Sequence, residues 1–196
     1  MGSALRLLPS PRRRAAFAIN VALRAAILGV LADALLHPDA ARYASKAIGT
    51  RGLVLIPASL AIPLLHFVAR RDQRYPVWTD NLYLSIFALD MGGNVLDLYD
   101  RFFFFDWVTH THGTGAIGVV VSELVRGPVL AGVAVAQLAH IVLEAQEYYS
   151  DVLFGLRNVR GTWDTVNDLL VGVVGSLAYG AAYSAARRVG WINRRS

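Results

Sequence analysis

Six apolar stretches run through the chain, and each is close to the length that a helix needs to cross a membrane. The hydrocarbon core of a bilayer requires about 20 residues of helix. Pro57 and Pro63 lie inside the second stretch, but membrane helices tolerate proline. We therefore predict an all-α fold: a single integral membrane domain over residues 1–196, built as a polytopic bundle of about six transmembrane helices. The helices are expected near residues 15–36, 52–69, 82–99, 107–125, 129–149 and 164–186.

The composition agrees with a membrane protein and argues against several other classes. Of the 196 residues, 55% are hydrophobic and 17% are charged, and the mean hydropathy is +0.44. Soluble domains carry about 25% charged residues, so a soluble α/β enzyme is a poor fit. The chain contains no cysteine. Disulfide bonds, thiolate ligands and cysteine nucleophiles are therefore excluded.

The basic residues predict the orientation of the bundle. With six spans, both termini lie on one side, which collects 12 of the 19 basic residues, whereas six lie on the other side and Arg24 lies within the first helix. Since basic residues concentrate in cytoplasmic loops, both termini are expected in the cytoplasm, as in a multi-pass inner-membrane protein. The net charge of +5 then follows from topology, and no nucleic-acid partner is expected. Because Arg24 interrupts the first apolar stretch, we interpret this stretch as a retained helix and not as a cleaved signal peptide.

Acidic residues and histidines gather at the outer ends of the last four predicted helices. Nine of the 14 acidic residues lie in these helices or in their outer loops, not counting Glu123 at the inner end of the fourth predicted helix. At a rise of about 1.5 Å per residue, the residues Asp97, His110, Glu144 and Asp168 all lie within about two turns of the outer membrane boundary. We expect the polar atoms of His110, Glu144 and Asp168 to share one cavity.

The spacing of these residues places them on common helix faces, because positions three, four and seven apart lie on the same side of a helix. Each such set of residues, which we call a stripe, can face the bundle interior while the other residues of the helix face lipid. His112 lies two residues after His110 and points in another direction. The stripes are Asp90, Asn94 and Asp97; Asp106 and His110; His140, Glu144 and Glu147; and Asp164 and Asp168.

The balance of charge in this region predicts a divalent cation. Ionised groups at membrane depth are costly unless they are paired, hydrated or bound to metal. Residues 80–186 contain only four basic side chains, one of them at the inner end. Oxygen and imidazole ligands without sulfur suit zinc, manganese or iron, or calcium or magnesium if the histidines do not coordinate. The predicted metal ligands are His110, Glu144, Asp168, Asp97 and His140, with Asp90, Asn94, Asp106 and His112 as supporting or relay residues. A structural polar network without metal is the alternative.

Other polar residues have simpler interpretations. Asn20 and Gln137 are expected to form hydrogen bonds between helices, and Asp80 is expected in a loop or at the membrane interface. The four phenylalanines at 102–105 are typical of an aromatic anchor at the membrane surface. The glycines of the fourth and sixth stretches are expected to allow close packing of helices.

Several short motifs in the second half of the chain resemble a known family. The motifs are Gly93-Asn94-x-x-Asp97-x-Tyr99, Asp106-x-x-x-His110-x-x-Gly113, Glu144-x-x-Glu147-Tyr148 and Trp163-Asp164-Thr165-x-x-Asp168-Leu169. In this order they resemble the YjdF-like family of bacterial inner-membrane proteins, over roughly residues 80–180. A weaker similarity links the start of the fourth predicted helix to VanZ-like membrane proteins. The resemblance implies a small multi-helix membrane protein and brings no known reaction with it.

Three functions are compatible with these patterns. The first is a metal-dependent membrane enzyme, a hydrolase or an oxidase, that acts on a lipid or lipid-linked substrate, with Glu147 or Asp164 as the catalytic base. The second is an ion-coupled or proton-coupled transporter that uses Asp90, His140 and Asp97 as a relay. The third is a non-catalytic membrane protein with a structural polar network. Membrane lipids are the expected partners in each case.

Overall fold

The computed structural model describes residues 10–43, 48–155, 158–159 and 161–189, and the regular structure of these residues is entirely helical. The all-α prediction is confirmed for this part of the chain. The helices are α1 (Pro11–Leu36), α2 (Ile48–Ser59), α3 (Ala61–Ala69), α4 (Val77–Val95), α5 (Leu98–Arg101), α6 (Phe105–Val125), α7 (Val129–Phe154) and α8 (Thr162–Arg188), with a short 3-10 turn at Ala41–Tyr43.

Four segments of the described chain are long and apolar enough to cross a membrane, namely Pro11–Leu36, Gly52–Ala69, Val129–Phe154 and Thr162–Arg188. The fold is therefore compatible with a membrane protein. Helices α4 and α6 have 19 and 21 residues, which is close to the length that a span requires. Both carry several polar side chains, which lower their hydropathy.

The second predicted helix is two helices, α2 and α3, separated at Leu60. Pro63 has no backbone N–H and cannot donate to the carbonyl of Ser59 four residues earlier. That carbonyl accepts a hydrogen bond of 3.0 Å from Nη2 of Arg24 on α1 instead. A side chain from a neighbouring helix thus satisfies the backbone group that the proline leaves free.

Helix α1 packs against α4 through an apolar core and a buried polar cluster. The core includes Ile27, Leu31, Leu84 and Met91. The cluster is centred on Asp80, which was expected in a loop or at the interface but lies in the first turn of α4 with 0% exposure. Its carboxylate is buried because polar groups of α1 and of the neighbouring loop surround it.

The partners of Asp80 satisfy its charge. Nη2 of Arg24 lies 2.9 and 3.1 Å from the two carboxylate oxygens, and the amide of Asn20 donates to one of them at 2.7 Å. Burial, together with the charge of Asp80, raises the pKa of Tyr75, so the phenol stays protonated and donates to Asp80. The prediction that Asn20 bonds between helices is confirmed by its hydrogen bonds to Asp80 and Asn81.

Helix α6 lies against α4, α7 and α8, and its approach to α8 depends on glycine. A Cβ atom on Gly175 would lie 2.1 Å from the backbone oxygen of Thr111, and one on Gly115 would lie 2.6 Å from the Tyr179 ring. Both distances are far below van der Waals contact, so only glycine permits this separation of the two helices. The expected packing role is confirmed for Gly115 and Gly175.

The ends of α6, α7 and α8 define two ends of the bundle. At one end, the last turns of α6 and α8 are joined by a hydrogen bond from the Tyr183 hydroxyl to Glu123, and Arg70 donates to the carbonyl of Leu124. The other end holds the first turns of α6 and α8 and the second half of α7. The acidic residues and histidines singled out on these helices lie at this second end, which we call the site end.

Candidate metal centre

Two histidines on neighbouring helices form the middle of the site. His110 lies in the second turn of α6, and His140 lies on α7. Nδ1 of His110 is 2.8 Å from Nε2 of His140, and the two rings stack with their centroids 4.9 Å apart. Both residues are buried. At most one proton can lie between two nitrogens at this distance, so at least one of them offers a lone pair.

Glu144 brings a carboxylate to the same pair of nitrogens. It follows His140 by one helical turn, and its Oε1 atom lies 3.3 Å from Nε2 of His140 and 3.6 Å from Nδ1 of His110. The Glu144 side chain is 5% exposed, and Oε1 has no hydrogen-bond partner. A buried carboxylate oxygen in this state carries an uncompensated desolvation cost. Two imidazole nitrogens and one carboxylate oxygen therefore lie close together, and the carboxylate oxygen has no hydrogen-bond partner.

The spacing of these three atoms fits a metal ion. A circle through Nδ1 of His110, Nε2 of His140 and Oε1 of Glu144 has a radius of about 1.9 Å, slightly shorter than zinc–nitrogen and zinc–oxygen bonds of about 2.0–2.2 Å. These three residues could therefore hold a metal ion at close to bonding distance. We call these residues the first ligand group.

The opposite edge of the His110 ring faces two aspartates. Nε2 of His110 is 3.3 Å from Oδ1 of Asp106, one turn earlier on α6, and 3.9 Å from Oδ2 of Asp168 on α8. Potential ligand atoms of Asp106, His110 and Asp168 all lie within 4.8 Å of one another. We call these residues the second ligand group. His110 belongs to both groups, and each group could hold a metal ion.

Two residues that the sequence analysis did not assign to the site shape it. Oγ1 of Thr114 lies 3.3 Å from Nδ1 of His140, the nitrogen that faces away from the first ligand group. A Cβ atom on Gly172 of α8 would lie 2.2 Å from the same nitrogen. Thr114 follows His110 by four residues, so the spacing rule could have identified it. The role of Gly172 depends on which helix packs opposite, and no local pattern indicates that.

The polar residues in the last turns of α4 contact one another. The Asn94 amide donates to Asp90 on the same helix at 3.0 Å, and the Tyr99 hydroxyl donates to Asp90 at 2.9 Å. Burial, followed by the charge of Asp90, raises the pKa of Tyr99. Neither Asp90 nor Asn94 belongs to the two ligand groups.

Asp97 and His112 differ most from the arrangement that the sequence predicts. Helix α4 ends at Val95 and not near residue 99, and Asp97 is exposed with a left-handed backbone (φ 59°) at the start of α5. His112 lies on another face of α6, where its ring nitrogens contact Ser85 Oγ at 2.9 Å and Tyr179 OH at 2.8 Å. The structure therefore places both residues outside the two ligand groups, and Asp97 is not in the last turn of a helix.

Glu147 and Asp164, the predicted catalytic bases, are half-buried at the edge of the site. Glu147 lies close enough to His110 for a Coulombic interaction, and Asp164 lies close enough to Asp168 for one. They belong to neither ligand group. Each carboxylate is therefore partly exposed at the edge of the buried ligands.

Comparison with protein-family models, with curated proteins and with solved structures finds no match to this chain. The resemblance to the YjdF-like family stays a prediction. What the site can do therefore follows from its own geometry.

Proposed function

We propose that the chain is a six-span inner-membrane protein with cytoplasmic termini that binds a divalent metal through His110, His140 and Glu144 and hydrolyses a lipid or lipid-linked substrate. The observation that carries this proposal is the unpartnered Oε1 atom of Glu144, which is buried between two imidazole nitrogens. A structural polar network would be expected to satisfy that oxygen with a hydrogen bond, because buried acceptors without partners are rare in native proteins.

The ligand chemistry supports hydrolysis. Two histidines and one glutamate are the protein ligands of several zinc hydrolases, whose fourth position holds water. A bound divalent ion polarises a substrate oxygen and generates a water nucleophile near neutral pH. The same residue types also bind iron in oxygenases. Which metal is bound therefore distinguishes a hydrolase from an oxidase. Zinc, with manganese as the next choice, is the ion that we propose.

The residues around the ligands supply the remaining roles. Glu147 and Asp164 are partly exposed and lie beside the buried ligands, so either can accept a proton from a water molecule during attack. Thr114, next to Nδ1 of His140, orients that ring, as residues behind metal-binding histidines commonly do. The chain thus has a general base and an oriented ligand without using the aspartates of the second ligand group.

The position of the site supports a lipid substrate. Trp107 follows Asp106 and Trp163 precedes Asp164 in the chain, and these two rings are 40% and 79% exposed. Aromatic rings of this kind concentrate where a membrane meets water. A site at that depth is within reach of the headgroup of a lipid or of a lipid-linked substrate.

The alternative of a proton-coupled relay through Asp90, His140 and Asp97 receives less support. His140 contacts His110, Glu144 and Thr114, whereas Asp90 is bonded to Asn94 and Tyr99. Asp97 is exposed in the segment after α4. Of the three relay residues, only His140 belongs to a ligand group.

Metal content tests the proposal. Purified wild-type protein should retain at least one equivalent of metal per chain by mass spectrometry, and Glu144→Gln should retain at least one equivalent less, because the amide keeps the shape but removes the charge. Glu123→Gln, at the opposite end of the bundle, is the matched control and should retain the wild-type amount. Wild-type protein without stoichiometric metal, together with an unchanged or higher melting temperature for Glu144→Gln, would establish the polar-network alternative.

Activity tests the catalytic part. Metal-loaded protein in mixed phospholipid vesicles should release hydrolysis products that mass spectrometry detects, and chelation should stop their release. Glu147→Gln and Asp164→Asn should keep the metal, and the variant that lacks the catalytic base should lose at least about 100-fold in rate. Equal rates for wild-type protein and both variants would rule out these residues as the base.

A further inference from the structure

His110 presents both of its ring nitrogens to potential metal ligands. Nδ1 faces His140 and Glu144, while Nε2 faces Asp106 and Asp168. The proposed function uses only the first of these two edges. The second edge holds two carboxylates that this function does not require.

Asp168 shows the same unsatisfied state as Glu144. Its side chain is 5% exposed, and its Oδ1 atom is buried without a hydrogen-bond partner. Its other carboxylate oxygen, Oδ2, lies 3.9 Å from Nε2 of His110. Each ligand group therefore contains one buried carboxylate with an unpartnered oxygen, and the two residues, Glu144 and Asp168, face opposite edges of the His110 ring.

The charges around the second group also favour a cation. Three carboxylates, those of Asp106, Asp164 and Glu144, interact with the carboxylate of Asp168 through Coulombic repulsion, and His110 opposes them. Like charges at short range in a poorly solvated site repel strongly. One divalent ion bound in the first group would offset only part of this charge.

We propose that a second divalent cation binds to Asp106, Asp168 and Nε2 of His110, so that the His110 ring lies between two ions. This inference rests on the proposed function for the first ion. A ring that ligates two ions must release its N–H proton, and the charge of the two ions favours that release. Two carboxylates and one imidazole at wider spacing than the first group suit an oxygen-preferring ion such as manganese better than zinc.

A single-ion site makes a different prediction for the same residues. In that case Nε2 of His110 keeps its proton and donates it to Asp106, which then only orients the ring. The number of ions at saturation separates the two arrangements. If Asp106 only orients the His110 ring, its loss weakens the binding of one ion. If Asp106 is a ligand of a second ion, its loss lowers the number of ions bound per chain.

The experiment is a titration of metal-free protein with Co²⁺, followed by bound-metal analysis and electron paramagnetic resonance. Wild-type protein should bind two Co²⁺ per chain, and coupling between their spins should lower the signal below that of two isolated ions. Asp106→Asn and Asp168→Asn should each bind one Co²⁺ with an uncoupled signal. Asp90→Asn, which alters a carboxylate outside both groups, should still bind two.

The outcomes distinguish this inference from the function on which it rests. If wild-type protein saturates at one Co²⁺ and Asp106→Asn also binds one with lower affinity, the second ion is refuted and the first remains. Two uncoupled Co²⁺ in wild-type protein would also refute it, because ions on one imidazole ring must interact. No bound ion in wild-type protein would refute both proposals. The wild-type signal decides the question even if one of the aspartate variants fails to fold.

Discussion

Gly172 offers a sharp test of the first ligand group, because its absent side chain makes room for a proposed ligand. In Gly172→Ala, the new Cβ atom would lie 2.2 Å from Nδ1 and 2.5 Å from Cε1 of His140, and 3.0 Å from Oγ1 of Thr114. Ordinary contacts of this kind begin near 3.4 Å. Either the imidazole or α8 must therefore move by roughly 1 Å.

The expected effect is larger on metal binding than on stability. Overpacking of a core costs about 1–3 kcal/mol, while replacing a helical glycine by alanine returns about 0.5–1 kcal/mol. The net loss in the free energy of unfolding should therefore be about 0–2.5 kcal/mol. Changes behind a metal ligand cost about 10–100-fold in affinity, and the methyl group of Gly172→Ala would press directly on the ligand ring. We expect zinc affinity, measured by competition with a chelator, to fall by at least about 100-fold.

A control and a double mutant make this test specific. Gly113→Ala also adds a methyl group near the site, but its Cβ would meet only Ile86 at an ordinary 3.6 Å. It should bind zinc normally and be as stable as wild type or slightly more so. In a His140→Ala background, Gly172→Ala should lose most of its destabilising effect, because the clashing ring is absent. Wild-type zinc affinity in Gly172→Ala, or an undiminished cost in the double mutant, would refute the reasoning.

Three further predictions concern the rest of the bundle. Arg24→Met should lower the free energy of unfolding by about 3–5 kcal/mol in detergent titrations, because it leaves the Asp80 carboxylate buried without its cation; an unchanged midpoint would contradict a stabilising ion pair. Single cysteines at Asp39 and Asp72 test the topology: an impermeant thiol reagent should label the first in intact cells and the second only after lysis, and the reverse pattern would invert the bundle. Thr114→Val should weaken zinc binding by about 10–100-fold without changing the number of ions bound, and an unaltered affinity would show that the hydroxyl does not orient the histidine ring.

The helical segments were predictable because the requirement for them is local. A run of apolar residues must form a helix if it crosses a lipid core, and each expected segment overlaps a helix of the structure. The break at Leu60 was not predicted, because membrane helices often continue through proline. Here the carbonyl that Pro63 leaves free is satisfied by Arg24, which is 35 residues away from Ser59 in sequence. The end of α4 at Val95 was also missed, since the expected end near residue 99 rested on hydropathy alone.

The depth of the site residues along their helices was predictable, but the directions in which their side chains point were only partly so. His110, Glu144 and Asp168 were singled out because the rise per residue places them at one depth, and the structure does bring these three side chains together. The depth of His112 is nearly the same as that of His110. Its side chain nevertheless faces Ser85 and Tyr179, because a difference of two residues turns it by more than half of a circle around α6.

The sequence by itself determined which segments are helical, apart from the break at Leu60 and the end of α4. It also determined how deep His110, Glu144 and Asp168 lie along their helices, because depth follows from a constant rise per residue. Only the tertiary structure decided how each helix is rotated about its axis and how near its neighbour comes. Those quantities depend on contacts between distant residues, such as Gly175 against the Thr111 backbone and Gly172 against His140. The same packing decides that Nδ1 of His110 faces Glu144 while Nε2 faces Asp106. The His110 ring therefore belongs to both ligand groups, and the spacing of residues along the chain did not predict this.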